Sequence, residues 1–195
     1  MKTLIAGVLG GVAMFIWSSI AHMVLPLGEA GIKEIPDQGA VVRELHRTLA
    51  DKSGLYIFPG LGVGENATRE EKRAAMKKAM DKVATEPSGI LMYNSRRPFS
   101  FGRYLGIEFV TEVIEATLAA FLLVQTTIGT FAGRVGFMTA AGVLAAIATN
   151  ISYWNWYGFP TVYTLSYMST QIVGFICAGI VAALVLRRSV PRRAT

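Results

Sequence analysis

The sequence predicts an α-helical integral membrane protein: four transmembrane helices with a small extracytoplasmic α/β insert between helices 1 and 2. Three observations carry this reading. Hydrophobic residues make up 52% of the chain and charged residues 16%, where a soluble domain carries about 25% charge. From Val135 to Leu186 the 195-residue chain contains no Asp, Glu, Lys or Arg, although soluble helices need charge on their outer faces over such a length. Four segments also reach, or nearly reach, the ~20 mostly apolar residues that cross a bilayer. An ordinary soluble domain, a disordered chain and a disulfide-stapled module are thereby excluded.

The first span occupies residues 1–27, with an apolar run from Leu4 to Leu27. Lys2, the apolar core up to Trp17 and the Ser19-Ile20-Ala21 triplet imitate a cleavable signal peptide. The apolar run continues beyond Ala21, and Gly7 and Gly11 form a small-xxx-small face suited to permanent helix packing. An uncleaved helix is therefore expected. The second span is read from Tyr104 to Ile128 (104–128), with Phe99, Phe101 and Tyr104 as interfacial aromatics at its start. The third, Val135 to Tyr153 (135–153), is shorter and is followed by the aromatic cluster Tyr153-Trp154-Asn155-Trp156-Tyr157. The fourth, Val162 to Leu186 (162–186), carries the lone Cys177 as a small packing residue and leads into a basic tail, 187–195.

Orientation follows from Lys and Arg in short flanks. Lys2, Arg134 and the tail residues Arg187, Arg188, Arg192 and Arg193 agree with one another, so both termini are expected in the cytoplasm of a plasma (inner) membrane protein. Arg96, Arg97 and Arg103 disagree, but they belong to a loop too long for the rule to bind. The excess of Lys+Arg (19) over Asp+Glu (13) is thus a membrane anchor, and no nucleic-acid partner is expected. The expected partners are the lipid bilayer and, on a second reading, another membrane or extracytoplasmic protein.

The insert spans 28–103. Asp37 can cap a helix with Val41, Val42, Leu45 and Leu49 at helical spacing, which Gly54 can end. Leu55-Tyr56-Ile57-Phe58 reads as a short buried strand. Thr68 and Glu71 form a capping box for a second helix with Met76, Ala79, Met80 and Val83 as its packing face, and Ile90-Leu91-Met92-Tyr93 reads as a second strand. Strand–helix–strand order predicts a parallel pair.

The strongest functional signal lies in the second span. Glu108, Glu112 and Glu115 stand at i, i+4 and i+7, so one helical stripe carries all three. A charge deep in a bilayer costs at least about 2.5–3.5 kcal/mol, and such residues face a bundle interior or a water-filled cavity. Other spans offer polar residues at matching depth: His22 with Ser18 and Ser19, Asn150 with Ser152, and Tyr163, Ser166, Tyr167, Thr170 and Gln171. The inner halves are apolar apart from Thr126, Thr127 and Thr139. The pattern predicts a polar pocket open to the outside and floored by an apolar plug, with Glu108, Glu112, Glu115, His22, Asn150, Tyr167 and Gln171 as its ion-binding candidates.

Other chemistries find less support. His22, Glu108 and Glu112 offer a nitrogen and two carboxylates, but a single His at that depth and the lack of HExxH or Glu-x-x-His argue against a metal site. Gly60, Gly62 and Gly64 lack the spacing and the lysine of a phosphate loop. The basic helix after Thr68 reads as a solvated face. No grouping suggests a nucleophile, a cofactor or an enzyme. Two functions lead: a pocket that binds or conducts a small cation, proton or polar solute, or an accessory subunit docked by its insert and its small-residue helix faces; a membrane enzyme using Glu and His as acid and base is a third, weaker reading.

Overall fold

Apolar runs of 22 to 27 residues become the long helices of this fold. The computed structural model describes residues 1–187; the tail arginines Arg188, Arg192 and Arg193 lie outside them. Within that range the order is α1 (Lys2–Met23), α2 (Gln38–Leu49), β1 (Gly54–Phe58), α3 (Arg69–Thr85), β2 (Gly89–Tyr93), α4 (Phe101–Val124), α5 (Phe131–Tyr157) and α6 (Thr161–Val185). Three helices, α1, α5 and α6, are long and apolar enough to cross a membrane, which is the composition of a membrane protein. The chain divides into two compact units: residues 1–32 with residues from 100 onward, and residues 33–99.

Local chemistry sets the helix ends, and several differ from the sequence reading. α1 stops at Met23 rather than Leu27, because the residue before Pro26 is steered out of the helical region. α4 runs three residues earlier than expected at its start and stops at Val124, where the Gln125 N–H and the Thr126 hydroxyl take up the last carbonyls. α5 is longer than read at both ends. The Thr130 hydroxyl accepts from the Gly133 N–H (3.1 Å), and the helix runs through the aromatic cluster to Gly158, which ends it at φ 69°. The cluster therefore forms the last turn of α5 instead of following it.

The first unit is a row of helices. α4 packs on α1, α1 on α6 and α6 on α5, while α4 scarcely meets α5 or α6. Small residues set the approach. Gly7 of α1 meets Thr117 of α4, Gly11 meets Val113, and the Phe15 and Phe109 rings cross edge to face at 5.2 Å. One residue number rises by four as the other falls by four, so α1 and α4 run antiparallel in register. Gly10 faces Ala178 and Gly174 faces Met14 across α1 and α6, while Gly142 faces Phe175 and Gly179 faces Met138 across α5 and α6. Both of these pairs are antiparallel too. The Gly142/Ala146 and Gly174/Ala178 stripes are buried inside the chain, which removes them as evidence for a partner helix. The core is built from Met14, Ala116, Ala119, Leu123, Met138, Phe175 and Ala178.

The second unit corrects four expectations. Asp37 does cap α2, accepting from the Ala40 N–H at 3.3 Å. The helix ends at Ala50 (φ 47°), however, and Gly54 is instead the first residue of β1. The strands pair antiparallel, not parallel, with Gly54 opposite Tyr93 and Phe58 opposite Gly89. A parallel pair needs a connection that crosses the sheet. Here residues 59–68 lead the chain away and α3, about 25 Å long, leads it back, so the connection returns to the end it left. β1 is exposed rather than buried: Leu55, Ile57 and Met92 share one sheet face with no layer over it. Met76, Met80 and Val83 of α3 are likewise exposed, and the helix buries only Ala75. Its capping box forms as read, with Thr68 N–H and hydroxyl both reaching Glu71 (2.7 and 2.9 Å) and the hydroxyl accepting from Glu71 N–H (3.2 Å).

Candidate functional site

Glu112 faces the α1 side of α4 and is 7% exposed. Its Oε2 is buried without any hydrogen-bond partner. An orphaned buried carboxylate oxygen costs the desolvation of the group with no return, so its surroundings define the site.

They form a cavity of about 470 Å³ bounded by α1, α4 and α6. Tyr104, Glu108, Thr111, Glu112 and Glu115 line it from α4, Phe15, Trp17, Ser18 and His22 from α1, and Tyr167, Thr170, Gln171 and Phe175 from α6. Glu108 and Thr111 are exposed, Glu115 is half-buried and Glu112 is buried, so the acids descend from the open side to the α1 wall. Among the described residues, no Lys or Arg lines the cavity. Met14, Gly174 and Phe175 close its inner end, and the Ala116, Ala119, Leu123, Met138 and Ala178 core lies beyond.

The walls are fixed by their own contacts. The Trp17 indole N–H donates to the Thr170 carbonyl at 2.9 Å and ties α1 to α6. His22 Nδ1 lies 2.9 Å from the Ser18 carbonyl oxygen, and its ring meets the edge of Tyr167 at 5.9 Å. Tyr167 in turn stacks on Tyr163 at 4.5 Å, Tyr163 on Phe159 at 5.5 Å and Phe159 on Tyr153 at 5.4 Å. This aromatic ladder links the α5–α6 turn to the cavity wall.

Of the residues that the sequence singled out, His22, Glu108, Glu112, Glu115, Tyr167 and Gln171 line this one cavity. Asn150 does not. Its amide donates to Gln171 Oε1 (2.9 Å), to the Ala146 carbonyl (2.9 Å) and to the Thr149 hydroxyl (2.8 Å), joining α5 to α6 beside the cavity. Sequence reasoning missed Trp17, Phe15 and Phe175 as wall residues. Trp17 carried a usable signal, a polar N–H in an apolar run one residue before Ser18, but it was read only as part of an apolar core. Among the described residues, no three of His, Cys, Asp or Glu converge as metal ligands would. A second hollow of about 700 Å³, lined by Thr126, Thr127, Arg134 and Arg187, contains no acid.

These features belong to a small helical membrane protein with a carboxylate-lined cleft between three of its helices. No protein-family model matches the chain, and neither a curated protein nor a solved structure is significantly similar to it.

Proposed function

We propose that the cavity binds, or passes across the membrane, a small cation, proton or polar solute, with Glu112 and Glu115 as its acceptors. The observation that carries this reading is the buried, unpartnered Glu112 Oε2 within a cavity that also receives Glu108 and Glu115 and, among the described residues, no Lys or Arg. A buried carboxyl oxygen without a donor is complementary to a donor or a positive charge. α4 serves as a fourth span in this account. At 24 residues it is about 36 Å long, and it follows α1 in register from Phe109 to Thr117. Its acids turn toward the cleft, while Ile107, Val110, Ile114, Leu118 and Phe121 remain on the exposed side for lipid. With four spans and a cytoplasmic basic end, the cleft opens toward the extracytoplasmic side and residues 33–99 lie there.

The test compares Glu112→Gln and Glu115→Gln with the parent chain in membrane vesicles, measuring cation uptake and pH-driven proton movement. Loss of either activity in the variants supports the reading, and unchanged behaviour in both removes its basis.

One observation favours a second reading, an accessory subunit whose insert docks a partner. The apolar faces Leu55/Ile57/Met92 and Met76/Met80/Val83 are uncovered, more than a stable two-stranded unit leaves open. Isolation in mild detergent as a lone monomer with full thermal stability counts against it.

A further inference from the structure

We infer that the cavity is built for a small organic ammonium ion, a protonated amine that carries an apolar or aromatic group; this rests on the cation reading above and narrows it. Size comes first. About 470 Å³ lies within the range of small-molecule pockets and far exceeds the space of a bare inorganic ion, which is gripped by several oxygens at about 2.0–2.6 Å. The acids are not gathered for such a grip, since no three potential ligands converge among the described residues. The second point is the makeup of the walls. α4 supplies all the carboxyl groups together with Phe101 and Tyr104, and Phe15, Trp17, Tyr167 and Phe175 on α1 and α6 supply further aromatic surface. Carboxyl groups and aromatic rings lining one cavity suit an organic cation, because both attract positive charge and the rings also cover an apolar substituent.

The walls are also held in place before any ligand arrives. Trp17 is fixed by its bond to Thr170 and Tyr167 by its contacts with Tyr163 and His22, so little side-chain entropy remains to be lost on binding. The last point concerns the cation's substitution. Glu112 Oε2 lacks a donor, and an ammonium with at least one N–H supplies it, whereas a fully alkylated ammonium cannot. The site therefore selects primary to tertiary amines over quaternary ones and over neutral or anionic isosteres.

Isothermal calorimetry on the full chain in detergent tests this with phenethylammonium chloride, its trimethylated quaternary analogue, 2-phenylethanol and phenylacetate. Expected is saturable binding of phenethylammonium, weakened at least tenfold by trimethylation or by replacement with the alcohol, and no binding of phenylacetate. Glu112→Gln should weaken phenethylammonium tenfold or more, and Tyr167→Leu, which leaves every charge in place, about threefold or more. If Glu112→Gln does not fold, as judged by circular dichroism and gel filtration, the four ligands on the parent chain and Tyr167→Leu decide. Equal binding of the alcohol, the acid or the quaternary analogue overturns the inference. Sodium or potassium binding that depends on Glu112, with no amine binding, overturns it and leaves the broader cation reading intact. Binding of neither amine nor inorganic cation overturns the inference and the inorganic-cation reading, and the vesicle assay then decides between a proton and a polar solute.

Discussion

Gly11 of α1 lies against the backbone of Val113 of α4, and a Cβ at position 11 would collide with that backbone. The contact sets the distance between the two helices that bound the acidic cavity, because Glu112 is the next residue along α4. Gly11→Val must push α4 away, and overpacking of this kind costs about 1–3 kcal/mol. Gly106 and Gly136 have open space where a side chain would go, so Gly106→Ala and Gly136→Ala should be neutral or slightly stabilising through helix propensity. Thermal melts in detergent check this. A Gly11→Val protein that melts with the parent would show that the α1–α4 contact is looser than described.

Glu115 gives a charge-sign prediction. It is half-buried, lines the cavity, and shares that lining with no Lys or Arg among the described residues. Glu115→Gln keeps the shape and removes the charge, so stability should be unchanged or improved. Glu115→Lys brings a tethered ammonium into the cavity that Glu108 and Glu112 also line, so it should fold as the parent does and weaken binding of a free ammonium about tenfold or more. Melts and calorimetry with phenethylammonium on the three proteins decide it, and undiminished binding by the Lys variant contradicts the place of Glu115 in this cavity.

Asn150 separates structure from function. Its bond to Gln171 ties α5 to α6, its bonds to Ala146 and Thr149 stay within α5, and Asn150 itself is outside the cavity lining. Asn150→Ala should lower stability by about 1 kcal/mol, typical of interhelical polar contacts, and leave ligand binding unchanged. A binding loss comparable to that of a cavity variant would place Asn150 in the site after all.

The capping box of α3 carries a pH dependence. The Thr68 backbone N–H, and then its hydroxyl, hold the Glu71 carboxyl below the ordinary carboxylate range. A depressed folded pKa means that the stabilisation is present above the unfolded value and is lost as pH falls through the folded one. Acidification should therefore lower the amide-exchange protection of the first turn of α3, measured against the intrinsic rate at the same pH, an effect that Glu71→Gln abolishes. Thr68→Ala removes the cap at all pH values, at about 1 kcal/mol. A first turn whose exchange protection does not change with acid would refute the bonding described.

Much of the membrane unit could be read from the sequence because apolar runs and charge gaps are strong, local signals. The helix around Val162–Leu186 and the Glu108/Glu112/Glu115 stripe needed only hydrophobicity and the 3.6-residue period. The ends of α5 were missed because no glycine or proline stops a helix between Tyr153 and Gly158, and an aromatic belt marks membrane depth rather than a helix end. Strand direction in the insert was misjudged for a different reason. Strand–helix–strand order implies a crossover only when helix and loop together carry the chain across the sheet, and the length of residues 59–68 let it return instead. Exposure of Leu55, Met76 and Met80 was hidden because period shows which residues share a face, not whether anything covers it. The aromatic wall escaped notice because Trp17 and Phe175 look like ordinary apolar residues until two helices bring them together.

The central claim is that Glu112 is a buried carboxyl waiting for a positively charged ligand in an accessible cavity. A membrane-soluble carbodiimide tests it most directly, with the adduct mapped by mass spectrometry of the purified full chain after labelling in membranes. Modification is expected at Glu112, slowed several-fold by N,N-dimethylphenethylammonium, which cannot be coupled as a primary amine is, or by the inorganic cation the site takes, and unaffected by 2-phenylethanol. Adducts confined to exposed acids such as Glu65 and Glu86, or labelling of Glu112 that no cation slows, would contradict it.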